Sequence, residues 1–173
     1  LSQILEGFPL GVVVYGQDQK PQYLNKRASE ILSNPKRGIT PSVEAGRTLA
    51  QTIEYYSFKD AQTGEKFPLE KMPVFKALRG EPSSLDNLVV DFGDTVIPLE
   101  VWASPVRDDT GIVETAIGVF QDVTDRKRAE AELVEYRKSL EQLVEQRTAE
   151  LNDANDRLRM RLEWVSAINR LQQ

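Results

Sequence analysis

The chain has 173 residues, a net charge of −5, and neither cysteine nor histidine. Disulfides, thiolate metal sites and cysteine nucleophiles are therefore excluded, as are imidazole general bases, histidine-ligated haem and phosphohistidine chemistry within this segment. Any metal would have to be held by carboxylates alone, and no loop carries the Asp-x-Asp-x-Asp-Gly spacing of a calcium site.

Residues 1–124 hold 12 basic and 17 acidic residues, and the remainder holds 10 of each. Arg126-Lys127-Arg128 is too short a basic stripe for a DNA-binding zipper, so no nucleic-acid partner is expected. No apolar run approaches the ~18 residues of a membrane span, and no signal-peptide pattern is present. The expectation is a cytoplasmic location without direct membrane insertion, with a membrane-anchored parent left open. The chain begins at Leu1 rather than Met and reads as a piece of a longer protein. Its length fits one domain plus an extension.

Leu1, Ile4, Leu5 and Phe8 have the spacing of one helical face. Gly11–Tyr15 is β-branched and aromatic, which predicts a strand. Asp18-Gln19-Lys20 reads as a turn and Gln22-Tyr23-Leu24 as a second strand, together a hairpin. Asn25 is a good helix N-cap, with Ala28, Ile31 and Leu32 on one face of a helix that stops before Asn34-Pro35. Lys36-Arg37-Gly38 and Pro41 read as loop. Thr48–Tyr56 fits either helix or strand, and Asp60–Lys66 is a turn. Pro68 suits the first turn of a short amphipathic helix that carries Met72, Phe75, Lys76 and Leu78 and ends at Gly80.

Three strands follow, Leu85–Phe92, Thr95–Ser104 and Ile112–Asp122, joined by turns at Gly93-Asp94 and Asp108–Gly111. In the second of them Leu99, Val101 and Ala103 share one face, and Glu100 and Trp102 the other. Tight links between these strands predict an α+β fold with an antiparallel sheet.

All nine prolines lie at or before Pro105 and all ten glycines at or before Gly118, so no helix breaker occurs in 119–173. Ala129, Leu133, Tyr136, Leu140 and Leu143 follow a heptad spacing. The seam continues through Arg147, Leu151, Ala154, Leu158, Leu162, Val165 and Asn169, with steps of four plus four at 143-147-151 and 154-158-162. Those steps are stutters that locally unwind a supercoil, and Arg147 weakens packing there. The reading is a parallel dimeric coiled coil, a lever of roughly 70 Å. The alternative is a helix docked on another domain of the parent chain.

The order strand-strand-helices-strand-strand-strand resembles a PAS domain. The resemblance rests on Asn25 with Ala28 and Leu32, on Ala77-Leu78-Arg79-Gly80-Glu81, on Ala103–Asp109, and above all on Ile117–Glu130 with its Asp122-Val123-Thr124 end. Glu145–Leu151 is similar to the linker helix upstream of bacterial sensor histidine kinase cores. The resemblance places a sensory domain at 1–124 and a signalling helix at 125–173. It implies a five-stranded antiparallel sheet of order 2-1-5-4-3 with helices over one face, a small cavity between them, and homodimers. It also implies a relay through Asp122, Thr124 and Arg126.

Met72 and Phe75, Leu99, Val101 and Ala103, and Gly118 and Phe120 are the candidate lining for a small-molecule ligand. Residues of this kind are more often plain core than ligand lining. Tyr55, Tyr56 and Trp102 are further ligand or interface candidates, Trp102 against a helix or a second subunit. Thr124 is the expected N-cap of the long helix, with Asp125 favouring its positive end and Asp122 in reach of Arg126. Flavin adduct photochemistry is not expected, because cysteine is absent and the flavin-sensing glutamine and a flavin-binding asparagine of that branch fall at Phe120 and Leu99. Glu65, Glu70 and Asp60 form no catalytic pair. The expected function is the input module of a bacterial signalling protein, foremost a sensor histidine kinase. Alternatives are a ligand-free dimerisation module and the input of a cyclic-dinucleotide synthase.

Overall fold

A computed structural model describes residues 5–171, with side chains described through residue 168. Residues up to Thr124 and residues from Asp125 form two separate units. In the first, β1 (Gly11–Gly16) and β2 (Pro21–Leu24) make the expected hairpin. Three short helices follow, α1 (Lys26–Leu32), α2 (Leu49–Tyr55) and α3 (Pro73–Leu78), with single 3-10 turns at Pro35–Arg37 and Leu69–Lys71. β3 (Phe58–Asp60) lies between α2 and α3, and β4 (Ser83–Asp91), β5 (Val96–Arg107) and β6 (Val113–Asp122) end the unit.

The sheet is antiparallel throughout, in the order β2-β1-β6-β5-β4-β3. The five expected strands stand in the expected order. A sixth, Phe58–Asp60, corrects the count; it pairs with Val90, Val89 and Leu88 at the β4 edge. Three residues are too few for a legible alternation, and the left-handed Ser57 (φ 50°) just before them breaks the run from α2.

Asn25 anchors the front of the domain. It is wholly buried, and its amide makes four bonds of 2.9 Å. The oxygen accepts from the N–H groups of Val12 and Ala28, and the nitrogen donates to the carbonyls of Leu5 and Leu10. One side chain thus caps α1, fixes β1 and ties down the segment before it. Of the helical face read over Leu1–Phe8, Leu1 and Ile4 lie outside the described residues. The described turn at Leu5-Glu6 ends before Phe8, which is exposed.

Thr48 decides the ambiguous stretch after the loop. Its hydroxyl accepts from the Gln51 N–H while the Gln51 side chain accepts from the Thr48 N–H. This reciprocal cap makes 49–55 a helix. The Leu49 N–H donates to the Gln19 carbonyl at 2.9 Å, docking α2 on the β1–β2 turn. Pro68 precedes a 3-10 turn rather than opening the amphipathic helix; Pro73 is the first-turn proline of α3.

The core lies between the helices and one sheet face, with Leu49, Ile53, Leu88, Val90, Phe92 and Leu99 almost completely buried. In β4 the register shifts between Leu85 and Leu88, so Asp86 and Asn87 together face Glu100. This bulge turns both leucines toward the core. The second unit is the single helix α4 (Thr124–Leu171), 48 residues long. No helix among the described residues is long and apolar enough to cross a membrane.

Replacing Asn25 with Ala removes the cap and strands two buried N–H groups and two part-buried carbonyls, so the domain should lose about 3 kcal/mol. Urea unfolding would show a lower midpoint, and an unchanged midpoint would contradict the anchoring role.

Candidate functional site

A cavity of about 70 Å³ lies within the first unit, under the helices. The inward face of the central strands forms its floor, with Leu99 and Val101 from β5, Gly118 and Phe120 from β6 and Val13 from β1. Period-two alternation puts these residues on one face, and register places Val101 opposite Phe120 and Val13 opposite Gly118. Met72 and Val74 close one side; Leu49, Thr52 and Tyr56 of the α2 region close another.

Five of the seven residues read from the sequence therefore meet here: Met72, Leu99, Val101, Gly118 and Phe120. Phe75 and Ala103 do not line the cavity. Met72 has extended backbone (ψ 130°) and precedes the first turn of α3, so it shares no helical face with Phe75. Phe75 is half-buried, with the Arg79 guanidinium 5.8 Å from its ring centroid. Ala103 is buried in the core.

Gly118 sets the spacing between sheet and helix. A Cβ there would stand 2.7 Å from Val74 Cγ2 and 3.1 Å from Val13 Cγ1. Both neighbours are β-branched and stiff, so α3 keeps its seat on β6 only because position 118 has no side chain.

Sequence reading missed four polar residues of the lining, Tyr15, Ser42, Arg47 and Thr52. The Tyr15 hydroxyl donates to Thr52 Oγ1 at a long 3.5 Å. Burial raises the Tyr15 pKa, with the Thr52 bond pulling the other way. Tyr56 is pushed up to about 12, first by burial and then by the neighbouring phenols of Tyr55 and Tyr15, against an opposing pull from Arg47. The Arg47 guanidinium lies 3.7 Å from the Tyr55 ring centroid, and Tyr55 meets Tyr56 edge-on at 5.0 Å. The signal that would have found this group is Thr48-x-x-Gln51, because a helix from 49 puts Thr52 and Tyr56 one turn apart on one face.

At the end of β6 the structure corrects the expected cap. The helix opens at Thr124 itself. One Asp122 carboxylate oxygen accepts from the Thr124 N–H at 2.9 Å and from its hydroxyl at 2.6 Å. The Val123 N–H donates to the Pro98 carbonyl at 3.0 Å, holding the joint on β5. Arg126 lies 3.6 Å from Glu130 along α4. Leu133, Tyr136, Leu140, Leu143, Leu151, Leu158 and Leu162 are all exposed, as is Arg147, which pairs with Glu150 at 2.8 Å. The Asn169 side chain lies outside those described. On the sheet, Trp102 is 42% exposed, opposite in face to Leu99.

The chain matches the family described as PAS fold over residues 5–128. It belongs to that family, one of sensory and signalling domains, and carries a long C-terminal helix after the domain. No curated protein matches it. An RNA-binding light-oxygen-voltage receptor is similar at 20% identity and a TM-score of 0.52, over 80% of this chain and 36% of that one. The N-terminal domain of a diguanylate cyclase with a PAS/PAC sensor from Marinobacter aquaeolei is similar at 15% and 0.50, over 68% and 98%. The PAS domain of Bordetella pertussis BvgS has 16% identity and a TM-score of 0.46, over 79% and 94%. At such identities the likeness is one of fold.

Two outcomes test this geometry. Gly118→Ala should overpack the sheet–helix contact and cost about 1–3 kcal/mol, read as a lower unfolding midpoint. A spectroscopic titration should show one phenol ionising near pH 12 that Tyr56→Phe removes. Because the folded value lies above the ordinary 10.0, Tyr56 contributes stability that is whole below pH 10 and is lost as the pH rises to about 12. Identical alkaline unfolding in wild type and Tyr56→Phe would contradict that environment.

Proposed function

We propose that residues 1–124 are the sensory input of a bacterial signal-transduction protein. Helix α4 of two copies pairs in parallel and carries the state of the domain to an output, foremost a histidine kinase. The observation that carries this reading is the position of β6. Its Gly118 and Phe120 line the cavity, and after Asp122 the same strand runs into α4. A shift in the cavity wall thus acts on backbone two residues from the Asp122–Thr124 joint. The exposed seam supports pairing: Leu133 is 71% exposed and Leu151 65%, and a polar helix of this length gains most of its stability by burying such a stripe on a partner. The similarity of Glu145–Leu151 to kinase linker helices supports the choice of output.

The small size of the cavity, about 70 Å³, favours a second reading, a dimerising module with a filled core and no ligand. Ligand-saturable thermal stabilisation separates the two.

The chain has no native cysteine, so single introduced cysteines report pairing cleanly. Leu140→Cys and Leu151→Cys should form disulfide-linked dimers under mild oxidation, and Glu141→Cys and Asp153→Cys should not. Equal cross-linking at all four positions, or none, would remove the parallel coiled coil from the mechanism.

A further inference from the structure

The cavity is chemically lopsided. Much of its wall is aliphatic or aromatic, as at Leu32, Leu88, Leu99, Val101 and Phe120. Among the described residues that line it, Arg47 alone carries a charge. Among the described residues no carboxylate lies within ion-pair distance of that guanidinium, and none accepts a hydrogen bond from it. Glu54, on the adjacent helix, is taken by Lys66. The contact Arg47 does make is stacking on Tyr55, which uses the flat face of the guanidinium and leaves its N–H edge open.

Beside it stands a second open donor. Tyr56 is 6% exposed, and its hydroxyl has no hydrogen-bond partner among the described residues. Among the described residues no fully occluded side-chain polar atom lacks a partner. The Tyr56 hydroxyl therefore faces open space, and Tyr56 borders the cavity. The Tyr15–Thr52 hydroxyl pair borders the same cavity, its 3.5 Å bond near the limit of a useful contact.

These donors select the ligand by exclusion. A neutral apolar molecule would strip water from Arg47 and Tyr56 and give nothing back. A cation would be repelled. A dianion would bring one more charge than the single guanidinium can match into an apolar enclosure. A carboxylate has the planar, two-oxygen edge that a guanidinium fork fits. By the volume one water position requires, 70 Å³ has room for roughly five small groups, the tail of a short acid.

We propose that the cavity binds a small amphipathic monocarboxylate, with its tail between Leu88, Leu99, Val101 and Phe120 and its carboxylate on Arg47 and the Tyr56 hydroxyl. This deepens the sensory reading above and rests on the cavity being the site of input. Arg47 comes from the segment before α2, and Tyr56 from the end of α2. The anion therefore ties both ends of that helix to a ligand whose tail lies on β5 and β6.

The test is isothermal titration of the whole 173-residue chain with hexanoate, phenylacetate and hexan-1-ol. Hexanoate should bind at least about tenfold more tightly than the alcohol. Arg47→Gln should weaken hexanoate by about tenfold and leave the alcohol unchanged, with Arg47→Lys between them. Tyr56→Phe should weaken hexanoate by about threefold. Thermal unfolding of each free variant checks that the fold persists. Equal affinity for acid and alcohol, indifference of the acid to Arg47→Gln, or no binding of either acid at millimolar concentration would overturn the assignment. Cross-linking of Leu140→Cys keeps the sensory reading separate. If hexanoate binds through Arg47 but leaves the cross-linking rate unchanged, the ligand assignment stands and the relay falls.

Discussion

A missing side chain sets the geometry of this domain. Position 118 lies in the middle of β6, which is paired along its length to β1 on one side and β5 on the other. Such a strand cannot move away from a helix that presses on it, so the helix seat depends on the residue at the contact. With glycine there, Val74 comes down onto the strand, and α3 rests on the sheet at a distance no other residue allows. The second helix is seated by different means, a reciprocal cap at Thr48 and a backbone bond to the β1–β2 turn. The cavity is the space left between elements seated on the core by different contacts.

The two helices are seated differently. α3 rests on β6 at Gly118, whereas α2 is capped at its start, buries Leu49 and Ile53 in the core and bears polar cavity groups at Thr52 and Tyr56. A change at α2 can reach β6 through the cavity contents or its walls. At the far end of β6 the Asp122 carboxylate takes both bonds from Thr124, beside the backbone bond from Val123 to Pro98. Bonds of this sort are worth about 1 kcal/mol each. A bias of that size shifts a population between two packings, and it cannot force one that is otherwise closed.

Much of this was legible in the sequence, and the gaps have physical causes. Strands β4, β5 and β6 were readable because one face is core and the other is not, so their residues alternate; β1, buried on both faces, was readable from its β-branched and aromatic run. The same alternation brought Leu99, Val101, Gly118 and Phe120 to one site. Asn25 was readable as a cap because its type and place before an apolar face are specific. Its three further bonds, to Val12, Leu5 and Leu10, leave no trace in local pattern. Phe75 was misplaced because the three-residue spacing from Met72 implies a shared face only if both are helical. Arg47 was invisible because an arginine in a loop looks like solvated charge until the fold sets it over Tyr55.

The sheet ends in two short, blunted strands. β2 has four residues and opens with a proline. β3 has three, and its outer side is already occupied: the Phe58 carbonyl accepts from the Phe67 N–H, and the Asp60 N–H donates to the Glu65 carbonyl. An open sheet normally invites another strand to add at its rim. Here one rim is interrupted by proline and the other is sealed by the chain's own return. Edge-to-edge addition of a second copy is therefore disfavoured at both rims, most of all at β3, where the chain's own return takes the outer backbone groups.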